Sequence, residues 1–200
     1  MTDFNQPLDK YAKAQRIVTD EQAIQAAKQV AAFALIKRDE RDQQRQLPFA
    51  VMDLFSQTGL GGIRIPKQYG GAEVSNRTLA DVFRILSKAD ANIGLIPQNQ
   101  ISLLNIINII GNDSQKRFIF GEILSGSRLA NGGPERDTKD SKTLATTLTI
   151  ANNGYYLNGE KFYSTGSSFA DYLAIKALHP AGHVVLTIID KAATGVEVVD

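Results

Sequence analysis

Tyr163, Thr165 and Ser167 stand two residues apart, the period of one face of a β-strand. A strand running through them would present a ring and two hydroxyls together, with Ser164 between and the Thr165 backbone N–H as a further donor. Asn131-Gly132-Gly133 offers an amide beside a backbone that a ligand can approach closely. Donors and acceptors fixed in this way could hold the polar edge of a planar ligand. Read locally, the same residues are an ordinary polar strand face, and Gly132-Gly133-Pro134 is a turn. Other clusters carry less. His179-Pro180-Ala181-Gly182-His183 has metal-like spacing, but Pro and Gly make it a hairpin turn, and no cysteine or third histidine completes a zinc site, so no metal is expected. Asp39, Glu40 and Asp42 fall in a charged run, residues 37–45, that reads as a solvated helix face. Gly59-Leu60-Gly61-Gly62 lacks the preceding strand that a dinucleotide site requires.

The elements that must position these residues fall into two halves. Thr19 and Gln22 form a capping box, and Ile24, Ala27, Ala31, Ala34 and Leu35 repeat at helical spacing behind it. Pro48 starts a second helix with Val51, Leu54 and Phe55 apolar and Gly59 as its stop. Leu79, Val82, Phe83 and Leu86 mark a third. Ile101, Leu104, Ile107 and Ile110 mark a buried fourth, with Gln100 at its start, and Ser114 caps a fifth with Phe118 and Ile119 inward. After Gly126 the period becomes that of strands: 128–131, 143–150, 155–165, 172–178 and 184–189, with turns at Asn153-Gly154 and Asn158-Gly159. The expected fold is α+β, an all-α domain over 1–126 followed by an antiparallel β-barrel or sandwich over 127–200.

Composition sets limits. A chain of 200 residues, 43% hydrophobic, buries a real core, and a net charge of +1 gives no support for a nucleic-acid surface. With no cysteine, disulfides and thiolate catalysis are excluded. Met1 to Lys10 has no apolar signal core, and the apolar stretch 101–110, interrupted by Ser102, Asn105 and Asn108, reads as too short and too polar to span a bilayer. A cytoplasmic protein with no membrane partner is expected.

Four segments together resemble the acyl-CoA dehydrogenase flavoprotein superfamily. They are Leu157-Asn158-Gly159-Glu160-Lys161-Phe162-Tyr163-Ser164-Thr165-Gly166 with Ala170-Asp171, Gly59 to Gly71 through Ile65-Pro66 and Tyr69-Gly70-Gly71, Gly111 to Arg117 through Gln115-Lys116, and Thr194-Gly195-Val196-Glu197-Val198. They occur in the family order and cover the chain from about Thr19 onward. The resemblance implies that the strand after Asn158-Gly159-Glu160-Lys161 lies against a flavin ring. It implies Asn131, Gly132, Gly133, Tyr163, Ser164, Thr165 and Ser167 as cofactor-binding residues.

The segment Ala130-Asn131-Gly132-Gly133-Pro134-Glu135-Arg136-Asp137 departs from the dehydrogenases, which carry T-E-P-G-x-G-S-D there, and is more similar to the monooxygenase branch of dibenzothiophene and sulfur-acquisition enzymes. That branch implies reduced FMN, with FAD as the alternative, delivered by a partner flavin reductase, and oxygen transfer to a small organosulfur substrate. Asn131, Ser167 and Gln100 are then the catalytic candidates. Where this chain has Gln100 the branch leads one to expect histidine, so the side chain could hold the reacting oxygen by hydrogen bonds but could not relay protons. Family members run to about twice this length, with a second helical bundle that supplies the dehydrogenase base and much of a tetramer interface. This chain is accordingly expected to be a fragment or truncated product. Acyl-CoA dehydrogenation and a non-catalytic remnant stay open as alternatives.

Overall fold

The computed structural model describes residues 14–136, 138, 143–151 and 154–199. Met1 to Lys10, Asn153 and Asp137, on which three of the sequence readings fall, lie outside them. The chain divides into two compact units, Met1–Arg128 and Leu129–Asp200.

The first unit is helical: α1 Asp20–Leu35, α2 Arg38–Gln43, α3 Phe49–Gln57, α4 Asn76–Ala89, α5 Ala91–Ile110 and α6 Asp113–Leu124, with single 3₁₀ turns at Leu60–Gly62 and Lys67–Tyr69. Thr19 caps α1 as expected, with Gln22 returning the capping-box bond. Asp20 then accepts from the Thr78 hydroxyl at 2.7 Å and the Ser75 N–H at 3.4 Å, tying the start of α1 to the start of α4.

The charged run is not wholly solvated. Lys37 takes a left-handed φ of 56° and ends α1, and Arg41 folds inward. Its guanidinium donates to the Ile36 and Ala34 carbonyls and to Asp90 Oδ2, so the C-terminal carbonyls of α1 are satisfied by one buried cation. Two further readings change. The cap of α6 is Asn112, boxed with Gln115, rather than Ser114. The inward residues of α6 are Ile119, Phe120, Ile123 and Leu124, and Phe118 is 55% exposed.

Helix α5 starts ten residues before Ile101, so Gln100 sits mid-helix. At 20 residues α5 is long and apolar enough to cross a membrane by length and composition, so the length argument made from 101–110 does not hold. In this fold Ile93, Ile101, Leu103, Leu104 and Ile107 make it a core helix of the first unit.

The second unit is a five-stranded sheet: β1 Leu129–Gly132, β2 Thr147–Ala151, β3 Gly154–Asn158, β4 Tyr172–Leu178 and β5 Val184–Asp190. The expected antiparallel pairing holds for β2 with β3 and β4 with β5. β1 and β2, however, both run parallel to β4, with Leu129 opposite Tyr172 and Thr147 opposite Leu178, so the sheet is mixed. Ala130, Ala170, Leu173 and Ile175 form its core, covered by Leu157, Ile189, Val196 and Val198.

Candidate functional site

Two segments that the sequence singles out separately lie side by side in the second unit. Residues 131–136 leave β1 and residues 159–167 leave β3. The Phe162 N–H donates to the Pro134 carbonyl at 3.0 Å. One residue to either side, Lys161 Nζ meets Glu135 Oε1 at 2.5 Å, with the two side chains 7% and 3% exposed.

The same carboxylate accepts from the Thr146 hydroxyl at 2.5 Å and from the N–H groups of Thr146 and Ala145 at 3.0 and 2.6 Å. Burial alone would push the Glu135 carboxyl up. Lys161, Thr146 and the two backbone donors outweigh it and hold the carboxyl at about 2. Because residues 145 and 146 give their N–H groups to Glu135, β2 begins only at Thr147 and not at 143.

The strand expected through 165 ends at Asn158. Tyr163 takes a left-handed φ of 55°, the Thr165 N–H turns back to the Tyr163 carbonyl at 2.9 Å, and Ser167 opens a 3₁₀ turn, Ser167–Phe169. Tyr163, Thr165 and Ser167 therefore do not share a strand face. The chain curls instead, and the Tyr163 ring stands 74% exposed. Arg136 lies over the rings of Phe162 at 4.3 Å and Tyr163 at 5.2 Å, and its Nη2 is 3.4 Å from the Tyr163 hydroxyl. Lys191 donates to the Ser168 and Ser167 carbonyls and fixes the 3₁₀ turn.

Asn131 is half-buried on β1, and Ser164, Thr165 and Ser167 are half-buried on the curl. Their side chains enter no hydrogen bond among the described residues. Gly133 keeps room for Asn131, since a Cβ there would come 3.2 Å from Asn131 Oδ1. Gly132 has a different reason from the one expected. A Cβ on it would lie 2.2 Å from Ile175 Cδ1, so this buried glycine lets β4 pack.

Gln100 belongs to the helical unit. It is 4% exposed and donates Nε2 to the Gly61 carbonyl at 3.1 Å, and a Cβ on Gly61 would come 2.7 Å from that nitrogen.

The structure thus brings Asn131, Gly133, Tyr163, Ser164 and Thr165 onto two joined segments. It adds Glu135, Arg136, Thr146 and Lys161, which carried no role on sequence alone. The signal for these was present only as opposite charges inside two quoted segments, Glu135-Arg136 and Lys161. The rings of His179 and His183 stack at 4.5 Å beside the β4–β5 turn, and among the described residues no group of three metal-ligating side chains is found.

Known proteins share this arrangement of elements. A sequence model of the acyl-CoA dehydrogenase N-terminal domain matches residues 18–127. A 3-(aryl)acrylate reductase of Clostridium sporogenes is 30% identical over 142 residues, 70% of this chain and 38% of that protein. An acyl-CoA dehydrogenase of Bacillus subtilis is 30% identical over 156 residues, 76% of this chain and 40% of that protein. A dibenzothiophene monooxygenase of Rhodococcus erythropolis is 23% identical over 137 residues, 68% of this chain and 33% of that protein. The matched region is thus about two fifths or less of each relative's length. FMN-bound TdsC from Paenibacillus sp. A11-2 superposes with a TM-score of 0.77 at 23% identity, covering 87% of this chain and 45% of that one. Butyryl-CoA dehydrogenase from Megasphaera elsdenii superposes with a TM-score of 0.78 at 22% identity, covering 97% and 51%. The structural likenesses establish the fold, and the match over 18–127 establishes the lineage: the chain belongs to the acyl-CoA dehydrogenase family.

Proposed function

We propose that the chain carries the flavin-facing part of a flavin-dependent oxidoreductase, and that the enzyme is a monooxygenase using reduced FMN and dioxygen on an organosulfur substrate. The observation that carries the proposal is the pair of joined segments, 131–136 and 161–167, with unspent side-chain hydrogen-bonding groups on Asn131, Ser164 and Thr165 beside the exposed Tyr163 ring. These residues fit a flavin. Its ring is planar with a polar edge, and the site offers an aromatic face, an amide and two hydroxyls. When bound, flavin supplies the electron pair and, once reduced, reacts with dioxygen.

The chain's own contribution is orientation. Asn131, Ser164, Thr165 and Ser167 hold polar edges, Tyr163 covers apolar surface and excludes water, and Gly133 keeps the backbone low. Gln100 stays in the proposal as a neutral group that cannot move protons. A partner reductase supplies the reduced flavin, and the enzyme works in the cytoplasm as a homotetramer.

A second reading, acyl-CoA oxidation with FAD, is favoured by one observation. Relatives at 30% identity include a reductase and a dehydrogenase, whereas the dibenzothiophene monooxygenase of Rhodococcus erythropolis stands at 23%.

Reconstitution separates the readings. The protein, complete with any helical bundle encoded beside it, is expected to bind FMN more tightly than FAD. With a flavin reductase it should consume dioxygen only when an organosulfur compound is present. Bleaching of bound FAD by an acyl-CoA without dioxygen would establish the second reading instead. Absence of any flavin absorbance would leave the chain as a non-catalytic relative. Gln100→His tests the remaining catalytic candidate. A turnover that gains a titration near pH ~6.5 would place it at the chemistry, and a flat profile would leave it to packing.

A further inference from the structure

We propose that Arg136, held against Phe162 and Tyr163, is an oxyanion-recognition site that takes a phosphate, sulfonate or carboxylate group of the bound ligand. The inference deepens the flavin reading, on which it rests for one of the two sources of that oxyanion.

The guanidinium is built into its place rather than left free on the surface. Its plane is covered by the Phe162 ring at 4.3 Å and bounded by the Tyr163 ring at 5.2 Å, with the Tyr163 hydroxyl 3.4 Å from Nη2. The segments on either side of the stack are anchored. Glu135, just before Arg136, is gripped by Lys161 and the Thr146 hydroxyl, and Lys161 itself precedes the two rings. Tyr163 holds its ring there at a left-handed φ of 55°, a conformation that a bulky residue adopts at a cost.

The one carboxylate close by in sequence among the described residues, Glu135, is fully engaged by its four donors, and Arg136 enters no ion pair with any described residue. What results is an exposed, pre-oriented cation. A planar fork of this kind selects an oxyanion by two parallel hydrogen bonds, and stacking on rings leaves its donor edge outward.

Isothermal titration calorimetry of the full chain and of Arg136→Met tests this with two matched pairs of probes. FMN and riboflavin share a ring and differ by a phosphate. Methanesulfonate and dimethyl sulfone are similar in size and differ by a charge. Wild type is expected to prefer the charged member of one pair by about tenfold, the value of one charge-assisted hydrogen bond. Arg136→Met should reduce that preference to about one, and Arg136→Lys should keep part of it. Loss of the FMN preference assigns the oxyanion to the flavin, and loss of the methanesulfonate preference assigns it to the substrate. Arg136 is exposed, so an unchanged melting temperature in Arg136→Met shows that the fold persists. The inference is overturned if wild type shows neither preference, or if Arg136→Met leaves intact every preference that wild type shows. Failure of both flavins to bind, with the methanesulfonate preference present and lost in Arg136→Met, would sink the flavin reading and leave this one standing.

Discussion

A single carboxylate, Glu135, collects Lys161, Thr146 and two backbone N–H groups, and so welds three stretches of chain at the edge of the candidate site. Removing one partner leaves the other charge buried and unpaired. Lys161→Met is therefore expected to destabilise by about 3 kcal/mol or more, and the double variant Glu135→Gln/Lys161→Met by less than the sum of the singles. Urea melts of the four proteins check this, and additivity would show that the pair is not coupled. The carboxyl is depressed from 4.5 to about 2, so its stabilisation is complete above pH 4.5 and is lost as pH falls through that window toward 2. Glu135→Gln should flatten that acid limb in pH-dependent denaturation.

Gln100 carries a second residue-scale prediction. Gln100→Leu removes the buried donor to the Gly61 carbonyl and should cost about 1–3 kcal/mol, measured by thermal melting. At this scale the sequence exposed letters but not partners. Glu135 and Lys161 both stand in quoted segments, yet an ion pair spanning 26 residues is set by the sheet, not by spacing.

Elements were legible where period and caps agree. The Thr19 box, the Pro48 start and the stripe of α4 all follow from local chemistry. β3 ends at the Asn158-Gly159 turn signal itself, whereas the curl beyond it was not legible, because the left-handed residue there is Tyr163, and tyrosine gives no turn signal of the kind glycine or asparagine would. The packing role of Gly132 was hidden for a related reason. Its lack of a side chain serves the neighbouring strand, which is distant in sequence. Gly132→Ala should destabilise by about 1–3 kcal/mol through overpacking. Ile175→Val, which deletes the Cδ1 that an alanine Cβ would meet, should recover most of that loss in the double variant. Equal stability of the single and double variants would show that Ile175 is not the obstacle.

At the scale of the molecule, we propose that the helical and sheet units, placed by the change of period at 1–126 and 127–200, are separate folding domains. Expressing residues 1–128 alone should give a cooperative thermal transition with helical circular dichroism. The helical unit also leaves large apolar side chains outward: Ile109 is 80% exposed, Ile110 66%, Phe118 55% and Ile106 40%. A surface of this kind is expected to drive self-association of the chain at micromolar concentration. Light scattering of a monodisperse monomer would contradict this, and Ile109→Lys with Ile110→Glu should suppress the association without lowering the melting temperature.

The parallel contact between β1 and β4 also sets an order in time. Each helix forms on hydrogen bonds between residues four apart, whereas Leu129 must wait for Tyr172 before β1 has a strand partner among the described residues. Long loop closure makes such pairing slow. Refolding should therefore show two kinetic phases. In pulse-labelled hydrogen exchange the amides of α1 and α4 should gain protection early, and those of Leu129–Gly132 and Tyr172–Leu178 should gain it later and together. On the ribosome, the segment with Asn131, Glu135 and Arg136 would emerge before the strand that orders it, an interval in which the nascent chain depends on protection from aggregation.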